Sequence, residues 1–227
     1  LVRFDDLEDL MTKIAVILSG CGAFDGAEIH ESVLTLLAIE QNGASWHCYA
    51  PNINQHHVVN HLSGDEMSQS RNVLEEAARI ARGKVQDIAE LKADNYDALL
   101  VPGGFGAAKN LCDFVIAGAN CKVQPDVLAA CKDFARAGKP AGYICIAPMM
   151  LPRVYGPGVK GTIGTNEESA AVFNQMGGRH VSCQVNDFVL DEEYRVASTP
   201  AYMLAQSVSD AASGINPMVK KLVELAR

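Results

Sequence analysis

Pro140-Ala-Gly-Tyr-Ile-Cys-Ile-Ala-Pro148 joins a short strand-like run, Pro140 to Ile144, to a second apolar, helix-like run that begins at Ile146. Where a strand turns sharply into a helix, the residue at the bend projects above the sheet. The free N–H groups of the new helix's first turn then face that side chain, lower a thiol pKa and can receive an oxyanion. Cys145 stands at this bend and reads as a nucleophile on an elbow. Free cysteine is most often a packing residue, and the chain holds seven. Cys145 is set apart by its small neighbours and by a second glycine-rich strand end, Val101-Pro-Gly-Gly104.

Around these two strand ends, strand and helix patterns alternate. Lys13 to Leu18 is a continuous apolar run stopped by Ser19-Gly-Cys-Gly22, the pattern of a strand buried on both faces. Glu28 to Gln41 carries Ile29, Val33, Leu36, Leu37 and Ile39 at helical spacing, with Gly43 as its stop. Further strands are predicted over 45–50, 96–101, 180–183, 188–190 and 195–198, and Gly161 to Ile163 forms another short segment. Helices are predicted over 72–82, 124–137, 167–176, 202–212 and 217–226, with Glu75 and Arg79 spaced to pair and a helix or turn reaching Leu111. The stretch 51–70 reads as an irregular excursion. This order predicts an α/β three-layer sandwich, a mostly parallel open sheet with helices on both faces and a nucleophile elbow. In such sheets ligands bind beyond the carboxyl ends of the strands, where Ser19–Gly22, Pro102–Gly104 and Cys145 would meet.

The chain has 227 residues and a formal net charge of −8. That length suits one α/β domain over 11–227. Residues 1–10, with four acidic side chains ahead of Met11, read as an extension or tag remnant. No cluster of Lys and Arg suits a nucleic-acid backbone, and no apolar stretch is long enough for a membrane helix. Seven scattered cysteines without a framework spacing point to free thiols in a reducing compartment, by default the cytoplasm.

The motifs Asp97-Ala-Leu-Leu-Val-Pro-Gly-Gly-Phe-Gly-Ala-Ala-Lys-Asn-Leu111, Gly142-Tyr-Ile-Cys-Ile-Ala-Pro148 and Glu28-Ile-His-Glu31 resemble the ThiJ/PfpI superfamily, the class I glutamine amidotransferase-like fold. Within it the chain is most similar to the ElbB-like glyoxalase branch, also called enhancing lycopene biosynthesis or sigma cross-reacting proteins. Ile17-Leu-Ser-Gly-Cys-Gly22, Asp25-Gly26, Arg71-Asn72-Val73 and Thr199-Pro-Ala-Tyr-Met-Leu-Ala-Gln206 carry that closer match. The resemblance implies Cys145 and Glu31 as catalytic residues and the N–H groups of Gly104 and Ile146 as an oxyanion hole. Glu28 lies three residues before Glu31, so spacing alone leaves open which carboxylate reaches the sulfur. Either could equally be a solvated helix residue.

Cys21, His30 and Tyr202 are further candidate neighbours of the site. Cys21 ends the first strand at the same sheet edge and reads as a resolving thiol or, on base rates, as packing. The segment 164–167, where relatives carry a histidine, has none, so a Cys-His-Asp triad would have to recruit His30 or His180. His56, His57 and His61 would suit a metal only if helical and only with partners that spacing does not supply. Gly20-Cys-Gly22 lacks the third glycine of a dinucleotide fingerprint. The resemblance implies a glyoxalase acting on a small aldehyde or dicarbonyl substrate without metal, glutathione or other cofactor. Homodimers are the commonest assembly for such folds. The alternatives are a cysteine-based redox-sensing or partner-binding protein linked to isoprenoid biosynthesis, and an amidotransferase-like subunit without its triad.

Overall fold

The computed structural model describes residues 11–227, so the extension read over 1–10 lies outside the described residues. The strands are β1 Thr12–Ile17, β2 Ala44–Ala50, β3 Val58–Val59, β4 Glu66–Met67, β5 Val85–Asp87, β6 Ala98–Val101, β7 Ala141–Ile144, β8 Lys160–Gly161, β9 Arg179–His180, β10 Val189–Asp191 and β11 Val196–Thr199. The α-helices are α1 Ile29–Gln41, α2 Val73–Ile80, α3 Phe105–Lys109, α4 Phe114–Ala117, α5 Pro125–Arg136, α6 Leu151–Val154, α7 Glu167–Gln175 and α8 Val208–Ala226. Seven strands form one sheet in the order β10-β11-β7-β6-β1-β2-β5, parallel except for β10 at the edge.

Alternation along the strands feeds two cores. Ala15, Ile17, Leu99, Val101, Ala141 and Tyr143 point to one face with Val127, Ala130, Cys131 and Phe134 of α5. Ile14, Val16, Ala98, Leu100 and Ile144 point to the other, against Leu36 and Ile39 of α1 and Ile215, Met218, Val219 and Leu222 of α8. Both faces are therefore covered, which is why the central strands read as unbroken apolar runs. The chain leaves β1 toward β2 on one side, while β6 and β7 lie on the other, so strand order switches at β1. The loops after β1, β6 and β7 converge there.

Four expectations are corrected. A single helix, α8, runs through Pro217 where two were predicted, over 202–212 and 217–226. Its buried stripe of Ala211, Gly214, Ile215, Met218, Val219, Leu222 and Val223 is continuous on both sides of Pro217, so packing outweighs the lost hydrogen bond. Tyr202 lies in a separate 3₁₀ turn, Ala201–Met203, rather than at that helix's start. Arg79 pairs with Glu76 at 2.9 Å, not with Glu75, because Glu76 turns inward while still accepting the guanidinium. The run after Cys145 starts as a 3₁₀ turn, Ala147–Met150, and only then becomes the short helix α6.

The excursion over 51–70 holds the β3–β4 hairpin, so His57 and His61 do not share a helix. His57 Nε2 meets Lys109 Nζ at 2.8 Å, and His61 Nε2 accepts the Phe24 N–H at 3.1 Å. Among the described residues no three His, Cys, Asp or Glu side chains stand together as a metal site, and no helix is long and apolar enough to cross a membrane.

Candidate active site

Cys145 follows β7 with a φ of 63°, a left-handed conformation that costs a non-glycine residue about 1–2 kcal/mol. Its N–H is tied to the Thr199 carbonyl at the end of β11 (2.9 Å), which holds the bend closed. The strained elbow aims the thiol into a cavity of about 360 Å³ lined by Ala23, Phe24, Glu28, Gly104, Phe105, Cys145, Ile146, Tyr202 and Met203.

Glu31 is the carboxyl that reaches the sulfur. It sits in the first turn of α1, is completely buried, and hydrogen-bonds the Cys145 thiol. Its Oε2 accepts the Gly103 N–H at 3.0 Å and its Oε1 the Tyr202 N–H at 3.1 Å. Glu28 instead caps α1, accepting the Glu31 N–H at 2.7 Å, and its side chain lines the cavity. The choice that spacing left open is thus made within one turn: Glu28 folds back to cap the helix, and Glu31 faces the strand ends.

Gly103 lets the two reactive groups meet. A Cβ there would lie 2.5 Å from Cys145 Cβ and 2.7 Å from Glu31 Oε2, so any side chain would wedge them apart. Gly104, at φ 89°, would place a Cβ 2.3 Å from the Glu28 nitrogen, so its neighbour loop can approach only a glycine. Sequence reasoning singled out Gly104 and missed the role of Gly103; the glycine doublet was the available signal.

Charge is penalised in this pocket. Burial, then the Glu31 carboxylate, pushes the Cys145 thiol well above its ordinary range, and the backbone N–H groups of Gly104 and Ile146 directed at the sulfur offset only part of this. The expectation of a lowered thiol pKa at an open helix end is therefore corrected: Cys145 is only 7 % exposed, and desolvation outweighs the two donors. Burial also raises Glu31 to about 8, against the opposing bonds from Tyr202, Cys145 and Gly103. The resting pair holds both protons near neutral pH.

A stability consequence follows by linkage. Glu31 binds its proton more tightly folded than unfolded, so between pH 4.5 and about 8 the native state carries the extra proton and stability falls as pH rises. Thermal melts across that window are expected to show a declining Tm, and Glu31→Gln to remove that component of the slope whatever its effect on absolute stability. An unchanged slope in the variant would assign the pH dependence to other groups.

The remaining candidates separate. Tyr202 lines the cavity, and its hydroxyl is 2.7 Å from His30 Nδ1, so His30 reaches the site only through Tyr202. His180 accepts from the Ile163 N–H at 3.3 Å beside Phe173. Among the described residues no histidine lines the cavity around Cys145. Cys21 is not part of the lining either; its thiol, raised mainly by burial, lies in the field of Glu76, Arg79, Asp25 and Arg71. Its expected place beside Cys145 fails because the loop after β1 turns the side chain toward α2. The aromatic wall of Phe24 and Phe105 was not anticipated, since each reads in sequence as an ordinary loop or helix residue.

No family model matches the chain. It is 41 % identical over 223 residues, 94 % of this chain and 83 % of the relative, to human glutamine amidotransferase-like class 1 domain-containing protein 3, mitochondrial. A solved structure from Ehrlichia chaffeensis, an isoprenoid biosynthesis protein with an amidotransferase-like domain, is 37 % identical with a TM-score of 0.89, covering 95 % of this chain and all of that one. Drosophila melanogaster DJ-1beta, 16 % identical with a TM-score of 0.52, covers 95 % of this chain and 96 % of its own, and shares the fold alone.

Proposed function

The chain belongs to the class I glutamine amidotransferase-like family with the DJ-1/ThiJ/PfpI fold, and on that premise we propose that it is a glyoxalase converting glyoxal, and methylglyoxal, to the 2-hydroxy acid without glutathione or metal. The observation that supports this most is the contact of a buried Glu31 carboxyl with the Cys145 thiol beneath the Gly104 and Ile146 N–H groups.

As the sulfur attacks an aldehyde carbon, its proton passes to the anionic form of Glu31, so no free thiolate accumulates. The alkoxide that forms takes the N–H groups of Gly104 and Ile146, then the proton from Glu31, giving a hemithioacetal. Glu31 next removes the hydrogen on that carbon, and the enediol is reprotonated at the adjacent carbon to a thioester. Water cleaves the thioester, releases glycolate and restores the thiol. One glyoxal and one water are consumed for each glycolic acid formed.

A redox sensor requires an exposed thiolate, and the burial and raised pKa of Cys145 weigh against that alternative. Glycolate appearing from glyoxal in the presence of a chelator and without added thiol tests the reading; stoichiometric Cys145 adduct without turnover would sink it. All seven cysteines are free, which suits the proposed cytoplasmic, reducing setting. Ile29, Val33 and Leu37 recur every four residues on the exposed side of α1 at 43 %, 50 % and 45 % exposure, which supports a homodimer. Sedimentation is expected to give twice the chain mass, and Val33→Glu to shift it toward the monomer; a wild-type monomer at micromolar concentration would refute this.

A further inference from the structure

The chemistry proposed above uses one wall of the cavity, and the rest is built for something larger than glyoxal. Cys145, Ile146 and the Gly104 N–H lie at one end, with Glu31 buried against the sulfur and outside the lining. The other lining side chains are Ala23, Phe24, Phe105 and Met203, with Glu28 and Tyr202 as the polar members. A volume of about 360 Å³ corresponds to roughly a dozen water-sized groups, at about 30 Å³ each. Glyoxal brings two carbons and two oxygens, so most of the space would stay filled with poorly bonded water.

Phe24 and Phe105 are 40 % and 49 % exposed. Single exposed apolar side chains are ordinary. These two face one cavity and are fastened there. The Phe105 N–H donates to the Ala23 carbonyl (2.9 Å), and the Phe24 ring stacks on His61 at 4.7 Å between centroids. Lys109 holds both, donating to the Phe24 carbonyl at 2.8 Å and standing 4.9 Å from the centre of the Phe105 ring. Walls fixed before a ligand arrives lose little freedom on binding. Among the described residues the one formally charged side chain in the lining is acidic, Glu28, which opposes carboxylate- or phosphate-bearing compounds.

We propose that the preferred substrates are uncharged 2-oxoaldehydes bearing an aromatic or branched apolar substituent, seated between Phe24 and Phe105 while the aldehyde carbon meets Cys145. This assignment rests on the glyoxalase reading. The reacting dicarbonyl is common to all such compounds; selectivity comes from the substituent replacing water against two preorganised rings. Phe24 and Phe105 are then specificity-determining residues and take no part in proton transfer.

Steady-state kcat/KM is measured for glyoxal, phenylglyoxal, 4-methyl-2-oxopentanal and a carboxylate-bearing 2-oxoaldehyde, with the wild type and with Phe24→Ala and Phe105→Ala. The two apolar compounds are expected to exceed glyoxal by about 10²-fold, a scale set by discrimination in apolar pockets, and the charged one to fall below it. In each variant the phenylglyoxal-to-glyoxal ratio should drop about tenfold. Glyoxal turned over as well as the apolar compounds, or a ratio unmoved in both variants, overturns the assignment and leaves the glyoxalase reading standing. If no compound is turned over, the glyoxalase reading falls. Protection of Cys145 from iodoacetamide then decides the pocket separately: stronger protection by the apolar compounds supports the assignment, and equal protection by glyoxal overturns it.

Discussion

Replacing Cys145 with alanine is expected to lower kcat/KM for glyoxal by roughly 10⁴-fold or more, the scale on which enzymes lose activity when a covalent nucleophile is removed. The backbone should survive, because alanine can take the bend that the Thr199 carbonyl holds at the Cys145 nitrogen. Circular dichroism and an unchanged fold in the melt establish that the loss is chemical. Residual turnover within tenfold of wild type would mean that another of the seven thiols, or a simple basic surface, carries the reaction. Trapping the thioester on acid quench, followed by mass spectrometry, places the adduct at Cys145 in the wild type and nowhere in the variant.

Glu31→Gln is the second large effect, a loss of about 10²–10³-fold, slightly more than the usual contribution of one positioned acid–base group because the same carboxyl serves both attack and enediol formation. The pH profile separates this from a mere change of shape. Burial raises Glu31 to about 8, so the anionic base becomes tenfold scarcer for each unit below that value, and wild-type kcat/KM should climb with pH and level off above about 8. The climb should vanish in Glu31→Gln. Glu28→Gln keeps an oxygen that can accept the Glu31 N–H, so it should cost less than tenfold and retain the climb. Equal small losses from both variants, with an unaltered profile, would remove Glu31 from the mechanism. Gly104 is a poor place for this kind of dissection: at φ 89°, with the Glu28 nitrogen 2.3 Å from any Cβ, a substitution there moves the loop as well as the N–H.

Much of the fold was legible because its central strands are buried on both faces. Ile14 to Leu18, Ala98 to Val101 and Ala141 to Ile144 are buried and apolar, and they are followed by Ser19-Gly20, Pro102 and the Cys145 thiol at the sheet edge where loops converge. Less was legible where an element owes its existence to packing. Val85–Asp87 pairs with β2 as a short, half-exposed edge strand, and three residues of mixed character carry no period. Pro217 reads as the start of a separate last helix, yet the apolar stripe of α8 carries one helix through it against α1 and the sheet.

In the site, local sequence by itself determined that Cys145 sits on an elbow, that a glycine doublet ends another strand, and that a carboxylate lies in the first turn of the first helix. These follow from bend geometry, from the left-handed φ that glycine tolerates, and from helical spacing, all of which act within a few residues. Tertiary structure alone decided that Glu31 rather than Glu28 meets the sulfur, that His30 stops at Tyr202, and that Cys21 turns away. It also decided the sign of the thiol's shift. A helix end and two N–H groups favour a thiolate, but the cost of burying charge depends on everything packed around Cys145, from Gly103 to Thr199, and no stretch of sequence carries that sum.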